Sequence, residues 1–187
     1  MIRKAKESDI EGIFNVLSRY NFKVLNPVDK APIDDEIKEL IAFNNELSEL
    51  NLKNAFVAEH KNKIVGFSHY KSYKDGKAKT TLITVLPEYR KHGFGKELQL
   101  ARMKDAYKNG YKILVTFTEN PIASKWYVKH FGYRIIGREK CHHRLHFIPL
   151  KNRVIWGVHY GLYDNENNDV LECNLTEFFN ESAKASD

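Results

Sequence analysis

The stretch Glu88–Gln99, EYRKHGFGKELQ, lies between an apolar, strand-like segment and a helix-like one, and places Gly93 and Gly95 inside a basic run. Glycine adopts backbone conformations closed to other residues and lets another molecule approach the main chain. A helix that begins near Gly95 leaves its first amides unpaired and carries partial positive charge there. Nearby cations strengthen this attraction. The stretch therefore predicts an anion site that suits one or two phosphates.

Two common nucleotide motifs do not fit this loop. A dinucleotide-binding fingerprint needs G-x-G-x-x-G after the first strand, with an acidic residue about 20 positions later. A P-loop needs Gly-Lys followed by Ser or Thr. Here the glycines lie in mid-chain, and Gly95-Lys96 is followed by Glu97. Both classes are excluded by this pattern.

Hydrophobic spacing around the loop predicts the order β-α-α-β-β-β-α-β-α-β-β. Short polar links separate three antiparallel strands ahead of the loop, and a strand-helix-strand crossover follows it. This order predicts an α+β fold with a mixed, mostly antiparallel sheet and helices on both faces. The predicted segments are a strand near residues 2–5, a helix from Ser8, a helix over 33–50, strands over 54–60, 63–73 and 77–86, a helix over 95–110, a strand over 111–120, a helix over 121–132, and strands over 133–147 and 152–163.

The composition indicates a folded chain of 187 residues with a net charge of +6. Arg90–Lys140 carries twelve Lys and Arg against four Asp and Glu, whereas Asp164–Asp187 carries seven acids against one lysine. We expect an anionic partner for the basic part. No apolar run of membrane length and no secretory h-region is present, and the two cysteines lie far apart, which together favour a reduced cytoplasmic protein.

Two linked motifs resemble those of the GNAT superfamily of N-acetyltransferases. The first is ITVLPEYRKHGFGKEL over 83–98, a strand, a glycine loop and a helix start. The second is NPIASKWYVKHFGY over 120–133, with an asparagine at a strand end and an aromatic pair. The resemblance covers residues 1–163 and implies a GNAT-like sheet of about seven strands. It leaves 164–187 as an acidic extension, for which we expect a short docked helix and a frayed end.

The resemblance implies an enzyme that uses acetyl-CoA and no metal to acetylate a primary amine by direct attack. Backbone groups of the strand end would pair with the pantetheine arm, and the loop amides would hold the pyrophosphate. Tyr127 takes the position of the tyrosine that protonates the CoA sulfur, since a phenol is protonated at neutral pH. Asn120 would contact the CoA arm or cap a helix. The implied CoA-binding residues are Ile83, Thr84, Val85, Arg90, Lys91, His92, Gly93, Phe94, Gly95, Lys96 and Asn120.

The general base and the acceptor stay open. Lys79 stands where some GNAT members place a glutamate base, and Glu59, His69 and Glu119 are alternatives. Acceptor contacts are expected from the segments 21–52 and 149–153. In CHHRLH, over 141–146, strand alternation divides the ligand-type residues between two faces, which argues against a metal site.

Three classes of function compete. The first is the N-acetyltransferase, and the second is a non-catalytic CoA-binding sensor or structural protein with the same fold. A nucleic-acid module is disfavoured because no zinc-finger spacing, aromatic RNA motif or arginine-rich arm is present. No membrane partner is expected. The acidic tail covers an edge, mediates a homodimer or has neither role.

Overall fold

The computed structural model describes residues 1–19, 22–25, 48–49, 52–118, 120–140, 144–150, 153–159 and 167–184. Four α-helices are found in these ranges: α1 (Ile10–Ser18), α2 (Phe94–Lys108), α3 (Pro121–Phe131) and α4 (Leu175–Lys184). The strands are β1 (Ile2–Lys4), β2 (Phe22–Leu25), β3 (Ser48–Glu49), β4 (Ala55–His60), β5 (Lys63–Ser72), β6 (Ala78–Val85), β7 (Ile113–Thr118), β8 (Arg134–Lys140), β9 (Arg144–Leu150), β10 (Arg153–His159) and β11 (Asn167–Asn174).

A seven-stranded sheet in the order β1-β4-β5-β6-β7-β11-β8 forms the body of the protein. Its pairs are antiparallel except for β6 and β7, which run parallel. The parallel pair arises because α2 carries the chain across the sheet between these two strands. The predicted α+β class with a mixed, mostly antiparallel sheet of seven strands is confirmed.

Helices α1 and α2 both pack on β5. The stripe of α1 that the spacing predicts is buried through Ile10, Ile13 and Leu17. From α2, Leu98 contributes a fully buried side chain. The core therefore lies between the strands β4–β6 and the helices α1 and α2.

The C-terminal extension supplies a strand as well as the expected helix. Strand β11 lies between β7 and β8, with Val170 opposite Phe117 on one side and Gly137 on the other. Helix α4 follows directly and buries Leu175 completely. The sequence predicts only a docked helix here, because Asn and Asp are poor strand formers. Residues 167–174 thus form a strand of the main sheet, and 175–184 form the expected helix after it.

A second sheet of four strands has the order β2-β10-β9-β3. The single strand predicted over 133–147 is wrong in this respect, since β8 belongs to the main sheet and β9 to the second one. Ser48–Glu49, placed in the predicted second helix, pairs with β9 as a short parallel strand. The remainder of that helix lies outside the described residues.

Candidate active site

Strands β6 and β7 pair only at their beginnings. Their shared register consists of Ala78 opposite Leu114 and Lys79 opposite Val115. A bulge then follows on β6, because His69 and Tyr70 of β5 lie opposite Leu82 and Thr80 and leave Thr81 without a partner across the ladder. Bulges increase the local twist of a strand. The backbone pairing of the two strands thus ends after Lys79 and Val115, and we call the region beyond this point the wedge.

The end of β6 offers backbone groups to this wedge. Leu86 donates its backbone N–H to the Val65 carbonyl of β5 at 2.8 Å. Groups along a strand alternate in direction, so Ile83 and Val85 turn their N–H and C=O towards the opposite edge, where β7 has departed. Both side chains are half-buried, and Thr84 between them is buried. On this edge the Val85 carbonyl accepts a hydrogen bond from Arg90 Nε at 3.2 Å, and the Val85 N–H and the backbone groups of Ile83 suit an extended ligand.

At the outer end of the wedge, α2 begins with unpaired amides. Gly93 takes the left-handed backbone with φ 86°, and the first bond of the helix runs from the Glu97 N–H to the Gly93 carbonyl at 3.0 Å. The amides of Phe94, Gly95 and Lys96 precede that bond, and no described side chain caps them. Such a helix start attracts an anion.

The cations of the loop lie close to this helix start. Arg90 donates from Nε to the carbonyl of Val85 at 3.2 Å, so its side chain folds back over the end of β6. Lys91 is exposed and has a positive φ of 65°, and His92 is exposed beside it. Gly95 has an ordinary helical backbone, in contrast to Gly93. The loop thus combines bent backbone with positive charge.

Tyr127 lies on α3, the helix that follows β7 in the chain. The side chain is only 4% exposed and packs against Trp126 and Tyr133, with ring centroids 5.1 and 5.0 Å away. The helix begins with Asn120, whose Oδ1 accepts the backbone N–H groups of Ile122 at 2.9 Å and Ala123 at 3.3 Å. The capping alternative for Asn120 is therefore realised in the structure.

A buried polar network surrounds the Tyr127 hydroxyl, and sequence analysis missed its central residue. Arg102 is fully buried and donates from Nη2 to Tyr127 Oη at 2.8 Å. It also donates from Nη1 to the Leu82 carbonyl at 2.7 Å and from Nε to Gln99 Oε1 at 2.6 Å. Gln99 in turn donates to Tyr133 Oη at 3.1 Å. The Arg102 guanidinium thus bridges the Tyr127 hydroxyl and strand β6.

Burial raises the pKa of Tyr133 well above its usual value, which keeps that phenol protonated. In the sequence, Arg102 interrupts an apolar stripe, since Leu98 and Ala106 lie one turn before and one turn after it and are both buried. A charged residue on such a stripe is a usable signal for a buried polar site.

The candidate bases have different surroundings. Glu59 forms an ion pair at 2.7 Å with Arg3 of β1, so its carboxylate is engaged at that edge of the sheet. His69 is fully buried, with Nδ1 2.6 Å from Thr81 Oγ1 at the bulge. Lys79 is also buried, and its ammonium lies 4.2 Å from the ring centroid of Phe117. Glu119 lies outside the described residues.

Within the described ranges, no three His, Cys, Asp or Glu side chains gather as metal ligands would. Cys141, His142 and His143 lie outside them, as does the side chain of His146. None of the described helices has the length and apolar character that a membrane crossing requires.

Solved structures resemble the whole fold. An N-acetyltransferase from Staphylococcus aureus Mu50 superposes with a TM-score of 0.56 at 19% identity, over 94% of this chain and 98% of its own. The yncA protein of Salmonella typhimurium, solved with its cofactor acetyl-CoA, gives 0.59 at 14% identity, over 94% and 93%. Rv2747 from Mycobacterium tuberculosis, in complex with CoA and NLQ, gives 0.53 at 19% identity, over 73% of each chain. At these identities the likeness shows the fold alone.

Sequence comparison adds a family model that matches part of the chain. No curated protein matches the chain. Residues 51–135, however, match the family model described as acetyltransferase (GNAT) domain. The match spans the wedge, the glycine loop and Tyr127, and therefore includes both motifs that the resemblance rests on. Residues 51–135 are thus similar to the acetyltransferase domain of the GNAT superfamily.

Proposed function

We propose that this protein is an N-acetyltransferase that moves the acetyl group of acetyl-CoA to a primary amine by direct attack, with Tyr127 protonating the departing thiolate. The observation that carries the proposal is the wedge between β6 and β7. An anion-attracting helix start lies at one end of it, and the Tyr127 hydroxyl is linked through Arg102 to β6 at Leu82. Such a site suits a long ligand with phosphates at one end and a reactive sulfur at the other.

The residues of the wedge fit coenzyme A on two counts. The uncapped amides at the start of α2, with Arg90, Lys91 and Lys96 close by, suit a pyrophosphate. The outward-turned N–H and C=O of Ile83 and the N–H of Val85 suit the amides of a pantetheine arm, which would pair with β6 as an extra strand does. The yncA and Rv2747 structures, which share the fold, hold acetyl-CoA and CoA respectively.

Acetyl-CoA supplies an activated thioester, and the chain supplies groups that stabilise the charges of its cleavage. Attack by an amine develops negative charge on the carbonyl oxygen, to which a backbone N–H of β6 near Val85 would donate a hydrogen bond. Removing one such donor costs other enzymes roughly 3–4 kcal/mol of transition-state stabilisation. Tyr127 then transfers its proton to the sulfur.

The acceptor is proposed only as a primary amine. Glu59 is committed to Arg3, so it is a poor candidate for the group that takes the amine proton. His69 and Thr81 lie together at the bulge, next to the site where the strands part. The free, buried thiol of Cys173 suits a reducing compartment, and we place the protein in the cytoplasm.

Release of free thiol from acetyl-CoA, measured with a panel of polyamines, aminoglycosides, amino acids and peptides, tests the proposal. We expect Tyr127→Phe to lower kcat by about 100-fold or more, as loss of a general acid does. The rise in melting temperature on adding CoA should persist, because the fold and the anion site are unchanged.

Tyr70→Phe is the matched control. Tyr70 is also fully buried, but its hydroxyl donates to Asp105 at 2.7 Å, away from Tyr127. This variant should lose stability and keep its turnover. A wild-type protein that binds CoA but releases no thiol with any amine would instead favour the non-catalytic CoA-binding reading.

A further inference from the structure

Arg102 is a charged residue in an unusual place. Its side chain is fully buried within α2, and no carboxylate of the described residues pairs with it. A buried charge without a counterion is costly, by several kcal/mol in general. Its hydrogen bonds go instead to neutral groups: two strand carbonyls, one amide and one phenol. The fold therefore retains a positive charge beside Tyr127.

We propose that Arg102 is the positioning residue of the transfer step: it orients the Tyr127 hydroxyl and holds a positive charge behind it, so that the bound sulfur leaves as a stabilised thiolate. This inference rests on the proposed function and adds a role for a residue outside both GNAT-like motifs. Sequence position alone does not suggest it, since the helix stripe calls for an apolar side chain there.

The direction of the hydrogen bond carries the first step. A guanidinium has donors and no acceptor, so Tyr127 Oη must accept from Nη2. The hydroxyl hydrogen of Tyr127 therefore points away from Arg102. The neighbouring phenol oxygen, Tyr133 Oη, already accepts from Gln99. Arg102 does not use the Tyr127 hydrogen, and in our proposal this hydrogen is donated to the bound sulfur.

The second step concerns charge. When the amine nitrogen bonds to the acetyl carbon, the carbon–sulfur bond breaks and its electron pair goes to sulfur. The Tyr127 O–H bond then breaks, an S–H bond forms, and a tyrosinate is left facing Arg102. The amine gives up one proton to water, and water returns one to the tyrosinate, so protons balance. Arg102 keeps its charge throughout, since a guanidinium stays protonated.

The groups that act electrostatically on the neighbouring Tyr133 phenol come from three elements. Arg102 comes from α2, Tyr127 from α3, and Cys173 from β11. Burial raises the pKa of Cys173 to about 12 and that of Tyr133 well above its usual value, so both stay neutral. Arg102 is thus a charged group in direct hydrogen-bond contact with the Tyr127 hydroxyl.

The thiol of bound CoA reports this potential without any turnover. Its ionisation is followed by ultraviolet absorbance, as the difference between the CoA complex and the protein alone, for the wild type and Arg102→Met. Met keeps much of the apolar stem and removes the charge. We expect the thiol pKa to rise by about one unit in the variant, as loss of a nearby opposite charge causes.

Kinetics give an independent readout. Arg102→Met should lower kcat about tenfold or more and leave KM for acetyl-CoA within about threefold, since Arg102 orients the hydroxyl that protonates the leaving group. In a Tyr127→Phe background, the same change should cause little further loss, because Arg102 acts through that hydroxyl. A purely structural role would lower stability, and its effect on kcat would add to that of Tyr127→Phe.

Two further variants test the inference if Arg102→Met does not fold. Arg102→Lys keeps the charge and should recover part of the lowered thiol pKa. Gln99→Leu removes the acceptor 2.6 Å from Nε and should raise the thiol pKa by less than the Met change. Folded variants with wild-type thiol pKa and wild-type kcat would overturn the inference. A wild type that releases no thiol would overturn the proposed function instead.

Discussion

Gly93 and Gly110 stand at opposite ends of α2 with nearly the same left-handed backbone, φ 86° and 88°. A Cβ at Gly93 would meet nothing closer than Glu97 Oε1 at 3.7 Å, and at Gly110 it would meet nothing within 4 Å. Changing either residue to Ala therefore imposes the same backbone strain, roughly 1–2 kcal/mol. Only Gly93 belongs to the proposed phosphate site.

We expect Gly93→Ala and Gly110→Ala to lower the free energy of unfolding by similar amounts, and only Gly93→Ala to reduce the CoA-induced rise in melting temperature. Thermal melts at several CoA concentrations measure both effects. Equal CoA responses in the two variants would show that the bend at Gly93 does not serve the ligand.

Gly95 allows a sharper test, because its backbone is helical. An added Cβ would lie 4.0 Å from Val85 Cγ2, an ordinary contact. Gly95→Ala should therefore leave stability unchanged or raise it by up to about 1 kcal/mol, from helix propensity. The methyl group would stand in the crease between α2 and the end of β6, and calorimetry should show weaker CoA binding. Unchanged CoA affinity would move the pyrophosphate away from this crease.

Removal of the C-terminal extension should unfold the protein. A chain that ends at Tyr163 lacks β11, and Leu171 and Leu175 leave the core with it. Strands β7 and β8 would then lose the partner that joins them. We expect no cooperative melt by circular dichroism, whereas a chain ending at Lys184 should melt like the full-length protein. A stable 1–163 chain that responds to CoA would show β11 to be dispensable.

The sequence predicts the helices and strands whose local residue pattern agrees with their place in the tertiary structure. The meander β4–β6, α2 and α3 are found where periodicity places them, because their links are short and their apolar faces are regular. The strand β11 escapes prediction because neighbours on both sides impose it on a polar segment. Its buried Val170, Leu171 and Cys173 lack strict alternation, and a bulge between Val170 and Leu171 explains the shift.

The candidate site divides in the same way. Tyr127, Asn120 and the glycine loop follow from short motifs with fixed spacing. Arg102 does not, because its role depends on three partners that are distant in the sequence: Tyr127, Leu82 and His69. Only an arginine on an otherwise apolar stripe marks it beforehand. Arg102 and these partners come together through the topology of the fold, which residue spacing along one helix or strand does not reveal.

Asp9 should make the protein sensitive to acid. Its hydrogen bonds with Arg3, at 2.6 and 2.8 Å, hold the pKa of this buried carboxyl below its usual value, and the Lys6 amide adds to the effect. A lowered folded-state pKa gives stability that is present above the ordinary value of about 4 and is lost as the pH falls through the folded value.

Asp9→Asn should thus cost about 2 kcal/mol at pH 7 and flatten the loss of stability below pH ~4. Urea unfolding across this pH range measures both. Glu177→Gln is the control, since its pair with Arg134 spans 3.8 Å between exposed side chains and should contribute less than about 0.5 kcal/mol. An equal response of the two variants to pH would remove Asp9 as the acid-sensitive group.

Gly12 lets α1 approach β5 more closely than any side chain would. A Cβ there would stand 2.6 Å from Ile64 Cγ1 and 2.8 Å from Ile64 Cβ, so the strand or the helix would have to move. We expect Gly12→Ala to destabilise the protein by about 1–3 kcal/mol despite its better helix propensity. Gly137→Ala, where nothing lies within 4 Å, should stay within about 0.5 kcal/mol of the wild type.

Ile64→Ala should cost less in the Gly12→Ala background than alone, because the two changes share one contact. Additive losses in urea unfolding would mean that α1 accommodates the methyl group elsewhere.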